Sequence, residues 1–321
     1  MKNQLKLSSI FISLICLLIC LASCEKKPVP PSITTASVSE ITYLTATSGG
    51  NITDDGRAEV TARGVCWSTS HEPTIADSKT DNGSGTGYFT SELDDLIPGT
   101  VYYVRAYAVN SAGTSYGNEI TFTSGQLTDV DGNTYNVVTI GDQVWMKENL
   151  KVTKYKDATD IPLVTDGDTW FQTDDPGYSW YENDEATYAE TYGAMYNWYT
   201  VSTGKLCPEG WHVPTDEEWT TLTDYLGGEG VAGGKLKEAG TSHWESPNTD
   251  ATNETGFTAL PGGYRSNGGQ FYALESQGNW WTSSEDDNVY VWGRRMDHSD
   301  AIVDRGHSNK NFGKSVRCIK D

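Results

Sequence analysis

From Cys207 to Trp219 the chain reads Cys-Pro-Glu-Gly-Trp-His-Val-Pro-Thr-Asp-Glu-Glu-Trp, and no other stretch constrains the fold as much. Thr215 is followed three residues later by Glu218. That is the spacing of a capping box, in which the Thr hydroxyl and the Glu carboxylate satisfy two orphan backbone N–H groups reciprocally. A helix therefore starts here. Trp219, Leu222, Tyr225 and Leu226 recur at helical spacing and give it an apolar side, and Gly227-Gly228 supplies the positive φ that ends it. A helix this short is not stable alone and needs a sheet to pack on.

The first 23 residues are set apart from the folded body. Lys2 and Lys6 precede an apolar run from Ile10 to Leu21, too short to span a bilayer and typical of a secretory signal. It ends in Leu21-Ala22-Ser23-Cys24, which resembles the lipobox of bacterial lipoproteins. That resemblance implies that Cys24 is diacylated and becomes the mature N-terminus, with membrane attachment through lipid; an ordinary cleaved signal peptide is the alternative. Residues 24–32, with Glu25-Lys26-Lys27-Pro28-Val29-Pro30-Pro31, read as an extended tether. The expected location is the bacterial outer membrane, facing either the periplasm or the exterior. Loss of Lys2 and Lys6 takes the formal charge from −21 to −23. So acidic a surface is soluble and lacks the Lys and Arg clusters that phosphate backbones need, which disfavours nucleic acid as a partner.

Residues 33–124 offer short β-type runs between turn signals, and the expected fold is an all-β sandwich. From Val101 to Val109, Tyr102, Val104, Ala106 and Ala108 alternate with Tyr103, Arg105, Tyr107 and Val109, so one set faces the core. Leu96-Ile97-Pro98-Gly99-Thr100-Val101-Tyr102 resembles the tyrosine corner of fibronectin type III domains, which assigns the corner role to Tyr102 and packing between sheets to Trp67. Cys66 reads as a reactive thiol or, more commonly for a cysteine in apolar surroundings, as a small core residue. Gly83-Ser84-Gly85-Thr86-Gly87 lacks the Lys-Ser/Thr ending of a phosphate loop and reads as a hairpin connection.

Beyond residue 125 the composition shifts, and ten of the eleven tryptophans lie after residue 140. This half is therefore expected to carry the function. Asp129, Asp131 and Asn133 alternate as in a calcium loop, but no bidentate Glu closes the set, and Asp131-Gly132 is a turn dipeptide. No cofactor is expected, with calcium a weak alternative. Tyr135 to Ile140 and Gln143 to Met146 predict a hairpin. Residues 157–188 predict a long, irregular, largely solvated loop, and Thr191 to Tyr199 a short helix or strand with its aromatics in the core.

The motifs then accumulate. Gly193-Ala194-Met195-Tyr196-Asn197-Trp198-Tyr199, Gly204-Lys205-Leu206-Cys207-Pro208-Glu209-Gly210-Trp211-His212-Val213-Pro214-Thr215, and Gly256-Phe257-Thr258-Ala259-Leu260-Pro261-Gly262-Gly263-Tyr264-Arg265 come in order. Trp280-Trp281-Thr282-Ser283-Ser284-Glu285 and Ser315-Val316-Arg317-Cys318-Ile319-Lys320-Asp321 follow. Residues 126–321 with this series resemble the Fibrobacter succinogenes major paralogous domain, a family of cell-envelope proteins similar to the C-type-lectin and formylglycine-generating-enzyme folds. The resemblance implies an α+β domain: a twisted antiparallel sheet, two short helices and long loops. The second helix falls at Val231 to Ala239. Lys314 stands where the family has an aromatic or aliphatic residue, which predicts a missing hydrophobic anchor before Ser315.

Apart from Cys16, Cys20 and Cys24, three cysteines remain, and export places them in an oxidising compartment. Cys207 and Cys318 lie in one domain and are expected to pair, as lectin-like folds often staple; two free core thiols are the alternative. Formylglycine-generating enzymes use a closely spaced cysteine pair near the C-terminus, where this chain has Cys318 alone. The five histidines show no metal-ligand spacing, and His212 reads as a hydrogen-bonded core residue. No catalytic or metal-ligating residues are assigned, and an enzyme is not expected.

Tyr264, Arg265, Tyr272, Trp281, Tyr290, Trp292, Arg294, Arg295, Asp297 and Asp304 bring aromatic faces and planar hydrogen-bonding groups into the last third of the domain. Such a mix binds sugars, the rings covering C–H faces while charged groups bond hydroxyls. Alternation should bury one of Trp280 and Trp281 and leaves the other open. By analogy with variable ligand-binding proteins on lectin-like folds, Tyr290 to Asn311 would be the recognition face. The expected function is a non-catalytic head binding carbohydrate on an anchored lipoprotein. A structural or protein-interaction module of the envelope is the alternative, and a hydrolase the third.

Overall fold

The computed structural model describes residues 26–321, so the leader and the lipidation expected at Cys24 lie outside the described residues. The described chain packs as two units. One runs through Glu40 and takes in Ala46–Leu93 and Tyr102–Phe122; the other comprises Ile41–Thr45, Asp94–Val101 and Thr123–Asp321.

The N-terminal strands are β1 (Ser32–Thr35), β2 (Ala46–Asp54), β3 (Ala62–Ser68), β4 (Ser78–Lys79), β5 (Gly87–Leu93), β6 (Val101–Asn110), β7 (Gly113–Tyr116) and β8 (Ile120–Thr123). They form sheets β1-β2-β5 and β4-β3-β6-β7, with β8 also on β6, which is the fibronectin type III-like sandwich expected. The alternation along β6 sends Tyr102, Val104, Ala106 and Ala108 inward, and Trp67 is buried with them. Cys66 is buried, its thiol 3.4 Å from the carbonyl oxygens of Pro73 and Arg105, and burial pushes its pKa up to about 11. A thiol so reluctant to ionise is a packing residue.

The C-terminal strands are β9 (Leu127–Thr128), β10 (Thr134–Tyr135), β11 (Val137–Ile140), β12 (Gln143–Met146), β13 (Tyr178–Ser179), β14 (Met195–Tyr196), β15 (Trp211–His212), β16 (Gly262–Arg265), β17 (Phe271–Leu274), β18 (Gln277–Glu285), β19 (Tyr290–Asp297), β20 (Asp304–Asn309) and β21 (Ile319–Lys320). Two sheets dominate, β11-β12-β21-β15 and β17-β16-β18-β19-β20. Both are antiparallel apart from a parallel contact of β16 with β18. Five α-helices among the described residues flank them: α1 (Gly167–Gln172), α2 (Glu185–Tyr192), α3 (Trp198–Val201), α4 (Asp216–Tyr225) and α5 (Glu229–Leu236). The class is α+β as expected, with more helices than the two foreseen.

Helix α4 has the capping box read from the sequence, with Thr215 and Glu218 bonded reciprocally. Trp219, Leu222 and Leu226 are buried, but Tyr225 is 67% exposed, because the apolar side is narrower than the spacing implied. Helix α5 starts earlier and stops earlier than expected. A Cβ on Gly233 would lie 2.6 Å from the Ile302 carbonyl oxygen, and one on Gly234 2.6 Å from that of Asp250. The glycines that weaken this helix thus permit its close contacts.

Cys207 and Cys318 form a disulfide across 111 residues. The Asp129 segment is a turn: its carboxylate accepts from the backbone N–H groups of Asp131 and Asn133 at 3.0 Å each and from the Tyr135 hydroxyl at 2.6 Å. Residues 157–188 depart from the solvated loop expected. They carry α1 and β13 and bury Trp170, Tyr178, Trp180 and Tyr181, since aromatic rings supply the apolar area that aliphatics lack here. Segment 191–199 is both forms at once, β14 and the start of α3.

The C-terminal unit has two hydrophobic clusters. One gathers Tyr196, Trp198, Trp211, Val213, Trp281, Val316 and Cys318. The other gathers Trp145, Trp219, Leu222, Phe257, Trp280 and Ile319. Adjacent tryptophans of β18 therefore enter opposite clusters, and both are fully buried. Alternation exposes one residue of a pair only where one sheet face meets solvent; at these positions both faces are packed.

His212 is hydrogen-bonded but is not a core residue: its side chain is 38% exposed, with Nδ1 2.6 Å from Asp321 Oδ1 and Nε2 2.9 Å from Glu218 Oε1. Its pKa is raised above 6.5, first by the Glu218 hydrogen bond, then by that of Asp321 against the opposing effect of burial. A raised folded value means that the imidazolium stabilises the fold fully below the unfolded pKa of 6.5, and that this contribution is lost as pH rises through the folded value. An NMR titration should find His212 above 6.5, and His212→Gln should flatten the decline in stability just above that pH. A titration at or below 6.5 would contradict the pairing.

Candidate functional site

A cavity of about 250 Å³ opens on the five-stranded sheet, lined by Tyr264, Gln277, Asn279, Gly293, Arg294, Arg295, Asp304, Gly306, His307, Ser308, Phe312 and Lys314. Strand register explains this set. Across β18 and β19, Gln277 pairs with Asp297, Asn279 with Arg295 and Trp281 with Gly293. Across β19 and β20, Arg295 pairs with Asp304, Gly293 with Gly306 and Val291 with Ser308. Cross-strand partners share a face. The cavity face thus carries Arg295 and Asp304, joined by a salt bridge of 3.0 Å, with glycines opposite each other on two strands leaving room beside them.

Tyr264 supplies the aromatic wall. Its ring stacks on Phe312, with centroids 5.9 Å apart, and lies 5.7 Å from Tyr272, which is 47% exposed. Asp297 sits at the strand end, accepting from Gln277 Nε2 at 3.0 Å and from the Ser299 hydroxyl at 2.7 Å. Burial opposes its ionisation, but the Ser299 and Gln277 hydrogen bonds hold its carboxyl below the usual range.

The remaining sequence candidates go elsewhere. Tyr290, Trp292 and Arg294 occupy the alternate β19 positions and turn to the α4 face. Arg294 is 1% exposed and pairs through Nη1 with Asp216 at the start of α4, while Arg305 Nη2 reaches the same carboxylate at 2.8 Å. Burial works against ionisation of Asp216, but the hydrogen bonds from Arg305 and Arg294 leave its pKa lowered. Arg305 also covers the Trp292 ring at 3.6 Å, and Tyr290 stacks on His307 at 4.8 Å. These residues lock the helix to the sheet, and the single recognition face expected over Tyr290 to Asn311 is divided between two sides.

Arg265 and Trp281 are also corrected. Neither has exposed surface. Arg265 donates from Nε to the Gly269 carbonyl oxygen at 3.0 Å and from Nη2 to that of Thr165 at 3.1 Å, and it covers the Trp170 ring at 4.3 Å. It pins the 164–165 backbone to β16. Trp281 donates from its indole N–H to the Tyr196 carbonyl oxygen at 2.7 Å within the first cluster.

Sequence reasoning missed Lys314. It was expected to remove an anchor; instead it is 6% exposed, with its amine 4.5 Å from the Trp281 ring centroid and its stem in the anchor position. A long side chain packs its methylenes as an aliphatic residue would. Ser315 and Val316 are buried behind it. The bridges of Gly313 to Arg265, Lys314 to Tyr196 and Ser315 to Trp280 bring the lysine to the cavity floor, and none is encoded locally.

A smaller hollow of about 120 Å³ is lined by Val201, Gly204, Leu206, Cys207, His212, Val213 and Ser283. Both His212 ring nitrogens face carboxylates, which leaves none to activate the serine. Among the described residues no group of three or more His, Cys, Asp or Glu side chains is placed to hold a metal ion.

No curated protein sequence is similar to this chain at a significant level. Among solved structures it is similar to the sensor domain of the anti-sigma factor RsgI4 of Pseudobacteroides cellulosolvens, at 19% identity and a TM-score of 0.24 over 30% of this chain and 95% of that one. It is also similar to the fourth FNIII domain of a human protein, at 21% identity and a TM-score of 0.24 over 33% and 85%. The family model described as the Fibrobacter succinogenes major domain matches residues 138–320, which hold the five-stranded sheet, all but the first residue of the four-stranded one, the disulfide and the cavity. With more than half its length so matched, the chain belongs to the Fibrobacter succinogenes major domain family.

Proposed function

We propose that this is an exported protein, lipid-anchored at Cys24 to the outer membrane, whose C-terminal unit is a non-catalytic binding head and whose ligand is carbohydrate. The observation that carries the reading is the cavity. It combines an aromatic wall at Tyr264 with the amides of Gln277 and Asn279 and the Arg295–Asp304 pair. A ring covers the apolar C–H side of a pyranose while amides and charged groups bond its hydroxyls. An open site of this size binds weakly, at about millimolar strength or roughly 4 kcal/mol, and many anchored copies raise the effective affinity.

Glycan arrays and insoluble-polysaccharide pull-down with the folded protein should give specific retention, and Tyr264→Ala should weaken it by about tenfold, the loss of one aromatic contact near 1.4 kcal/mol. Blank arrays with folding confirmed, or a Tyr264→Ala variant that binds unchanged, would overturn the reading. Cross-linking on intact cells provides the contrast: recovery of one stoichiometric protein partner would favour an envelope interaction module instead.

A further inference from the structure

We propose that this cavity takes an acidic sugar, a pyranose bearing one carboxylate, held by Lys314 at the cavity floor with Arg295 at its rim. The proposal rests on the carbohydrate reading above and narrows it to one ligand class.

The two buried lysines of the C-terminal unit differ in one respect. Lys237 Nζ donates to the carbonyl oxygens of Thr249, Asp297 and Asp300 at 3.1, 2.9 and 2.6 Å, a full complement for an ammonium group. Lys314 Nζ has only the face of Trp281, and no hydrogen-bond acceptor or paired carboxylate among the described residues. An ammonium with no protein acceptor at the cavity floor keeps its donors for an acceptor that enters from the cavity. The backbone that carries the amine is held in position. The Lys314 backbone N–H donates to the Tyr196 carbonyl oxygen at 3.1 Å, and that of Ser315 to Asn279 at 3.0 Å. A Cβ on Gly293 would come within 2.8 Å of Nζ, so β19 omits a side chain where the amine lies.

The charge count selects a monoanion. Lys314 and Arg295 bring two positive charges and Asp304 one negative to the same cavity. One carboxylate balances them, while a dianionic phosphate would meet Asp304. The volume of about 250 Å³ is just below the roughly 300 to 1,000 Å³ of larger ligand sites and suits one ring.

Burial pushes the Lys314 pKa down to about 7, with Arg295 acting in the same direction and Asp304 against it. Tyr264 from β16 is the other titratable side chain on the cavity face; Arg294 and His307 border the cavity, but their charged groups turn to the other face of the sheet, to Asp216 and Asp286. A bound carboxylate favours the ammonium, so binding at pH 8 should take up a proton, and binding at pH 6 little or none.

Calorimetry on the full folded protein should compare D-galacturonate and D-glucuronate with D-galactose, D-glucose and acetate, in buffers of differing ionisation enthalpy. The uronates are expected to bind at least tenfold tighter than their neutral parents, with proton uptake at pH 8. Lys314→Met should abolish that preference, and Arg295→Gln, at an exposed rim position, should reduce it severalfold with the fold intact. Neutral sugars binding as tightly as uronates would overturn this assignment and leave the carbohydrate reading standing. Acetate binding as tightly as uronates would overturn the sugar component, and silence of every probe would overturn both. Should Lys314→Met fail to fold, Arg295→Gln and the proton count of the unmodified protein decide the question.

Discussion

Opening the Cys207–Cys318 bridge is expected to lower the unfolding free energy by about 4 to 5 kcal/mol. The bridge closes a separation of 111 residues, and a cross-link over about 100 residues removes close to 4.7 kcal/mol of chain entropy from the unfolded ensemble. Its position adds to the effect. Cys207 lies in the loop before α4, and Cys318 is fully buried beside β12, where the Met146 N–H donates to its carbonyl oxygen at 3.0 Å. The bond therefore joins the approach to the helix to the end of the chain. Urea unfolding of oxidised protein, reduced protein and the Cys207→Ala/Cys318→Ala double variant should place the latter two together at a much lower midpoint. An unchanged midpoint after verified reduction would show that packing alone holds these segments.

Trp280→Ala should cost about 3 to 5 kcal/mol, the range for emptying a buried aromatic site. The ring is fully buried, 6.2 Å from that of Trp219, and lies under the Arg317 guanidinium at 5.8 Å. Its indole N–H donates to Asn149 Oδ1 at 2.8 Å, and the same oxygen accepts from Arg317 Nη2 at 3.0 Å. Truncation thus leaves a cavity and weakens the polar knot around a buried guanidinium. Trp280→Phe separates the two effects, keeping most of the packing while removing the donor, and should cost about 1 to 3 kcal/mol. Thermal or urea unfolding checks both. If alanine costs no more than phenylalanine, the site collapses on truncation and the cavity argument fails.

The features legible in the sequence are those encoded over a few residues or by strong motif order. The capping box of Thr215 and Glu218 specifies a helix start from three-residue spacing, because both bonds close locally. Alternation along β6 specifies its inward set, since successive side chains point to opposite faces. The motif series from Gly193 to Cys318 marked the family, and with it the cysteine pairing that the structure contains.

The candidate site was legible only as a composition. Aromatic and charged residues do concentrate after Gly262, but period-two geometry says that neighbours part without saying which face is free. Arg295 and Asp304 reach the cavity while Arg294 and Trp292 face α4, and that division follows from where the helix packs. Trp280 and Trp281 are both buried because β18 lies between two clusters built from distant segments.

By itself, then, the sequence determined the local elements, the sandwich, the family and the staple, because short-range hydrogen bonds and side-chain periodicity act within a few residues. The tertiary structure alone decided which side chains meet at the cavity and that Lys314 lies at its floor. Burial and charge pairing there depend on long-range strand partners, Tyr196 and Trp280 above all, that no local pattern specifies.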